Sequence, residues 1–173
     1  MKTLIATMVL MVSCWFTTTA QTTETTSTSL KEVEDRMALK ELVDVFSNLA
    51  DVKDVEAQVL LFTEDAVVNS YRDGKLMSSL RGRKELADRF GAFLSLFETV
   101  YHINGQQTVT LDGDKASGTS YCQVVLIGNE NGKKMMNIQG VRYNDEYVRV
   151  DGKWLIAERT SHFVWTDRRI LNE

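Results

Sequence analysis

The chain is 173 residues long, 43% hydrophobic and 25% charged, with a formal net charge of −4 at pH 7, no proline, two cysteines and two histidines. A pI near 5.3 and the lack of any Lys/Arg cluster exclude a phosphate-backbone partner, so no nucleic acid is expected. His102 and His162 lie far apart with no ligand spacing around them, which argues against a metal centre, and no cofactor is expected.

The chain opens with Met1-Lys2, an apolar run from Leu4 to Phe16 and the small residues Thr17 to Ala20. That is the layout of a secretory signal peptide over residues 1–20. The run is too short to span a bilayer, which takes about 20 residues, so no membrane span is expected and the protein reads as periplasmic or secreted. The lesser alternative takes Met11 to Cys14 as a lipoprotein box with an anchor on Cys14, for which Met11 and the bulky Trp15 are poor residues. Removal of Lys2 with the signal takes the net charge to −5 and leaves Cys122 as the single cysteine. No internal disulfide is then possible, and stability must come from a core that buries roughly two-thirds of the unfolded surface. Cys122, on a predicted strand, reads as a small buried hydrophobe.

Gln21 to Thr28 (QTTETTST) reads as a disordered leader, and a single domain follows over 29–173. Ser29 to Glu32 has the pattern of a capping box, and Leu30, Val33, Met37, Leu42, Val45, Phe46 and Leu49 keep helical spacing after it. A second, shorter helix is expected over Asp54 to Leu61 with Asp54 as its N-cap. Asp51, three residues earlier, is either an exposed loop acid or a carboxylate aimed into a pocket at the helix-helix corner. Thr63 to Tyr71 and Leu76 to Leu80 read as two strands around a turn. Arg83 to Phe97 reads as a third helix, whose phenylalanines at helical spacing are core residues.

Glu98 to Ile127 reads as a β-hairpin turning at Asp112-Gly113. Taking those two as the loop pairs Leu111 with Asp114, sets His102 opposite Gln123 and Asn104 opposite Tyr121, and puts His102, Asn104, Gln106 and Thr108 on one polar face. Tyr101, Ile103, Val109 and Leu111 then form the dry face. In that frame His102 is either a solvated sheet residue or a functional one. Lys134 to Val150 and Lys153 to Val164 form the last strand pair. A two-residue loop at Asp151-Gly152 would set Asp145 against Glu158, an unfavourable like-charge pair, so a three-residue loop placing Arg159 opposite Asp145 is expected, with Gly152 supplying a bulge. His162 reads as a surface residue.

Helices grouped early, then long antiparallel strands without βαβ alternation, make the chain α+β. A curved sheet around a long helix leaves a cone whose mouth can hold a small ligand. Phe46-x4-Asp51, the segment Asp54 to Asp65, Tyr101-His102 leading into Leu111 to Ala116, and Asp145, Gly152, Trp154, Ile156 and Arg159 resemble, in order and spacing, the SnoaL-like members of the nuclear transport factor 2-like superfamily. The resemblance covers about residues 30–165. It implies a cone of three N-terminal helices packed against a curved, mostly antiparallel sheet.

The resemblance also implies function. In dehydratase-like members an Asp at the first helix corner and a His on the third strand face each other in the cone, and these map to Asp51 and His102. Their Tyr maps to Phe46, which has no hydroxyl, and Tyr121 or Tyr143 is the candidate replacement, with Asn104 on the same polar face. The expected ligand is a small apolar molecule, polycyclic, steroid- or terpenoid-like, isomerised or dehydrated without cofactor through an Asp51-His102 pair. A carboxylate so placed favours the imidazolium, which is expected to hold His102 above its ordinary pKa of about 6.5 unless desolvation opposes it. The alternative is a non-catalytic binding or assembly module, and a homodimer through the open sheet face is expected in either case.

Overall fold

Three Asx-Gly pairs, Asp73-Gly74, Asn131-Gly132 and Asp151-Gly152, adopt positive φ at both residues. That is the two-residue hairpin turn whose twist matches the flanking strands, and it sets the strand layout of the computed structural model, which describes the backbone of residues 18–171 and the side chains of 29–171. The elements are α1 (Thr18–Asp51), α2 (Val55–Val59), β1 (Phe62–Arg72), β2 (Lys75–Arg81), α3 (Gly82–Leu94), β3 (Thr99–Asp112), β4 (Lys115–Glu130), β5 (Lys133–Val150) and β6 (Lys153–Ile170). They form one sheet ordered β2-β1-β6-β5-β4-β3. Among the described residues only the β1/β6 pair is parallel. This is the expected α+β cone, its sheet curved around α1 and α3.

α1 begins before the expected capping box at Ser29 and includes residues 21–28, which the sequence assigns to a disordered leader. No proline or glycine interrupts Thr18 to Asp51, so nothing local stops the helix at Ser29. The signal reading up to residue 17 and the alternative at Cys14 lie outside the described residues. Leu30, Val33 and Met37 are exposed, whereas Leu39, Leu42, Val43, Phe46 and Ala50 are buried. Among the described side chains of the helix, those of its second half lie on the sheet.

Two hairpin registers differ from expectation. The β3/β4 loop is Gly113-Asp114, with Asp112 paired to Lys115, His102 to Val124 and Asn104 to Cys122. Gly113 has φ +59 and Asp114 is not left-handed, the layout of a turn that wants glycine first. A β-bulge between Asn104 and Gln107 then changes the parity of the strand. Val100, His102 and Asn104 point inward before it and Val109 and Leu111 after it, while Tyr101 and Ile103, expected on the dry face, are half exposed on the outside. In the β5/β6 hairpin Asp145 does pair with Arg159, but through a bulge between Glu146 and Tyr147 and a two-residue loop in which Val150 pairs with Lys153.

The core is closed by Phe46 of α1, Phe62 of β1 and Phe90 of α3, which meet edge to face with ring centroids 5.8 to 6.2 Å apart. Each such pair contributes about 0.5–1.5 kcal/mol beyond the area it buries. At the other end Asp35 accepts from Arg149 Nη2 at 2.7 Å and from Trp154 Nε1 at 3.2 Å, tying α1 to β5 and β6.

Candidate functional site

The end of α1 determines where Asp51 points. Asp54 N–H bonds back to Leu49 O at 2.9 Å and Lys53 N–H to Ala50 O at 3.0 Å, while Lys53 takes φ +59. This is the Schellman helix stop, with lysine where glycine is usual. Lys53 Nζ donates to Phe97 O, joining the corner to the segment after α3. Asp54 then caps α2, its carboxylate accepting from Ala57 N–H at 3.0 Å, as expected. Asp51 thus sits in the last helical turn and faces β3.

Its carboxylate bonds one residue twice. His102 N–H donates to Asp51 Oδ2 at 3.2 Å, and His102 Nδ1 lies 2.6 Å from Asp51 Oδ1. A carboxylate can only accept, so Nδ1 carries the proton and, in the neutral ring, Nε2 keeps its lone pair. The His102 side chain is 7% exposed, and burial pushes its pKa below the ordinary value of 6.5 against the pull of Asp51; the Arg159 charge pushes the same way as burial. The expected upward shift is therefore reversed. Desolvation of the imidazolium outweighs one carboxylate that itself remains partly in water.

Phe46 and Tyr143 are buried in the cone, their ring centroids 4.3 and 4.4 Å from Arg159 Cζ. Tyr143 has its phenol pKa raised by burial. Cys122 is buried as expected, and burial pushes its thiol up to about 12. Asn104 shares the face of His102, but its amide is held by α1: Nδ2 donates to Val43 O and Asp44 Oδ1, and Oδ1 accepts from Ser47 Oγ at 3.0 Å. Tyr121 is a correction. It lies on the outer face, 42% exposed, because Ser120 and Cys122 on either side of it face inward. There it lines a shallow groove of about 340 Å³ with Ile103, Gly140, Val164 and Trp165. His162 is half-buried on that outer face and stacks on Tyr71.

Sequence reasoning used Arg159 and Asp145 for register and for the family resemblance, not as site residues, and the structure puts both inside. Arg159 Nε and Nη2 donate to the two Asp145 oxygens at 2.8 and 2.7 Å, with both side chains 1% exposed. Tyr147 Oη adds a 2.9 Å bond to Asp145. Although burial opposes its charge, attraction to Asp145 holds the Arg159 pKa above its ordinary value. The signal open to the sequence is parity: Tyr143, Asp145 and Tyr147 alternate onto one face of β5, and all three are buried.

A curved sheet closed by three helices is the nuclear transport factor 2-like fold that the sequence led us to expect. The chain belongs to the SnoaL-like domain family, whose signature matches residues 31–160. It is 27% identical over 134 residues to an uncharacterized protein of Mycobacterium tuberculosis, covering 76% of this chain and 86% of that one. Among solved structures it is similar to a protein of Novosphingobium aromaticivorans provisionally assigned as a scytalone dehydratase (22% identity, TM-score 0.71, 84% of this chain and 93% of that one). It is also similar to a hexachlorocyclohexane dehydrochlorinase of Novosphingobium barchaimii (15% identity, TM-score 0.68, 82% and 94%). At these identities the structural likeness is one of fold. Among the described residues no helix is long and apolar enough to cross a membrane.

Proposed function

We propose that this chain is an exported single-domain protein whose cone takes a small apolar molecule, polycyclic, steroid- or terpenoid-like, and that Asp51 and His102 move a proton on it without a cofactor. The observation that carries this is the 2.6 Å contact between a partly exposed carboxylate and a buried imidazole. A ring kept neutral near pH 7 by burial is ready to act as a base. Nε2 takes a proton beside a carbonyl, or returns one to a leaving hydroxyl, and Asp51 holds the tautomer and stabilises the imidazolium as it forms. Isomerisation and dehydration both follow from that step. The names of two structural neighbours, a dehydratase and a dehydrochlorinase, denote eliminations, which also remove a proton from carbon.

The test is exchange of the α-protons of a polycyclic ketone in D₂O, followed by NMR. His102→Ala should slow the protein-dependent exchange about 10²- to 10⁴-fold, the usual contribution of a placed base. Exchange no faster than in buffer would leave the alternative, a binding and assembly module without chemistry. That reading has its own support in the missing hydroxyl at Phe46 and in the apolar outer face, where Tyr101, Ile103, Tyr121 and Trp165 are 42 to 53% exposed. Export is tested by mass spectrometry of the native protein: an N-terminus at Gln21 supports it as a free periplasmic or secreted protein, and an acylated Cys14 would make it a lipoprotein.

A further inference from the structure

We infer that Lys53 is a positioning residue of the Asp51-His102 pair, its ammonium fastening the end of α1 to the start of β3 so that the carboxylate stays on the imidazole. This rests on the proton-transfer reading above and concerns the same site. α1 lies along β3, the edge strand of the sheet, and a series of side-chain hydrogen bonds joins them in order, the numbers rising along the helix as they fall along the strand. Arg36 Nη1 donates to Val109 O at 2.7 Å, and Gln107 Nε2 donates to Leu39 O at 3.2 Å. Asn104 comes next, donating to Val43 O at 3.2 Å and to Asp44 Oδ1 at 2.9 Å and accepting from Ser47 Oγ. His102 on Asp51 follows, and Lys53 Nζ on Phe97 O closes the series.

Asp51 needs that last bond because it is the terminal residue of α1. Helix ends fray, and the preceding fastening lies a helical turn back, at Ser47. The helix-stop bonds from Lys53 N–H and Asp54 N–H return to α1 itself and do nothing to hold it on β3. The Asp51 side chain is 22% exposed against 7% for His102, so water competes for the carboxylate, and a fastening beyond it keeps the pair together. Phe97 O is a firm anchor for that purpose. Glu98 N–H donates to Ile127 O at 2.7 Å, and Leu96 O packs so closely on β4 that a Cβ added to Gly128 would come within 2.9 Å of it. The backbone of Lys53 is a second sign. Among the described residues four non-glycines take positive φ, and Asp73, Asn131 and Asp151 are Asx residues of hairpin turns, a type that tolerates it. Lys53, at φ +59, is the fourth, and a long side chain keeps that conformation where the surrounding structure holds it in place. Glycine would end the helix with less strain, but Phe97 O would lose its donor.

The experiment is a double-mutant cycle read by NMR on the whole protein. The His102 pKa is measured in wild type, Lys53→Gly and Lys53→Arg, each with and without Asp51→Asn. In wild type Asp51→Asn should lower that pKa, since it removes the upward pull of the carboxylate. In Lys53→Gly, which keeps the helix stop but has no ammonium, the drop should be lost and the His102 Nδ1–H signal should exchange faster with water. In Lys53→Arg, which keeps a charged donor, the drop should persist. An undiminished drop in Lys53→Gly overturns the assignment, because a lysine that only ends the helix is fully replaced by glycine. Loss of the drop in both variants overturns it as well, since the donor is then not what matters. If Lys53→Gly does not fold, Lys53→Met takes its place with the same expected loss. The ketone-exchange assay keeps the two readings apart: an inactive wild type ends the proton-transfer reading, whereas the titration judges Lys53 either way.

Discussion

His102 shows how two opposing effects on one side chain are resolved. The carboxylate of Asp51 pulls its pKa up, burial pushes it down, and burial prevails. Asp51→Asn removes only the upward pull, so the pKa should fall further, as read by NMR titration of the ring with His162 as the internal control; identical titration in both proteins would mean that the two residues are uncoupled. The sign for stability follows. A histidine whose folded pKa lies below its unfolded value binds fewer protons folded than unfolded, so it costs stability below the folded pKa, and that cost disappears as pH rises through the interval up to 6.5. The Asn variant should widen that interval at its lower end. Cys122 obeys the same desolvation logic with the opposite charge: with its thiol pushed up to about 12, alkylation in mildly alkaline buffer should proceed only through opening of the fold, and fast modification of the native protein would refute its burial. For the pair Asp145-Arg159, Asp145→Ala strands a buried guanidinium and should lower stability by about 3–5 kcal/mol in chemical denaturation, well beyond the loss in the double variant Asp145→Leu/Arg159→Met, which removes both charges together.

At the level of elements, the site depends on a corner of a few residues. A left-handed Lys53 ends α1, and Asp54 starts α2 directly after it. α2 is only five residues long, too short to persist without its cap and its packing. Asp54→Ala should cost about 0.5–2 kcal/mol and shift the His102 resonances, because the same corner aims Asp51. An unchanged His102 environment would show that the corner holds without α2. The β3 bulge matters as much. It adds one residue between Asn104 and Gln107, so that His102 and Leu111 face the same interior although simple alternation would separate them.

For the whole molecule, the open question is what covers the outer sheet. Tyr101, Ile103, Tyr121 and Trp165 present exposed apolar surface around a glycine floor at Gly140, where an added Cβ would come within 2.0 Å of the Trp165 indole. Exposed apolar patches of this kind mark association surfaces, in keeping with the proposed homodimer. Light scattering at micromolar concentration should give twice the chain mass. Ile103→Glu, at an exposed position where the fold loses little, should give a monomer, and a wild-type monomer would end the proposal.

The sequence by itself determined the element types, the four hairpins, the α2 cap, the family and the pairing of Asp145 with Arg159, because these rest on local signals: Asx-Gly pairs, a capping carboxylate, periodic apolar residues and like-charge avoidance. It also pointed to Asp51 and His102, though only through the resemblance. Tertiary structure alone decided the facing of β3, since a bulge has no reliable local signature and inverts every later side chain. It also decided the facing of Tyr121, which the unbroken alternation of β4 turns outward between the buried Ser120 and Cys122, and the fate of Asn104, whose amide is consumed by α1. It decided as well that His102 loses proton affinity and that Arg159 keeps an unpaired nitrogen, because desolvation depends on what closes over a group, and the helices that close over these two are far from them along the chain.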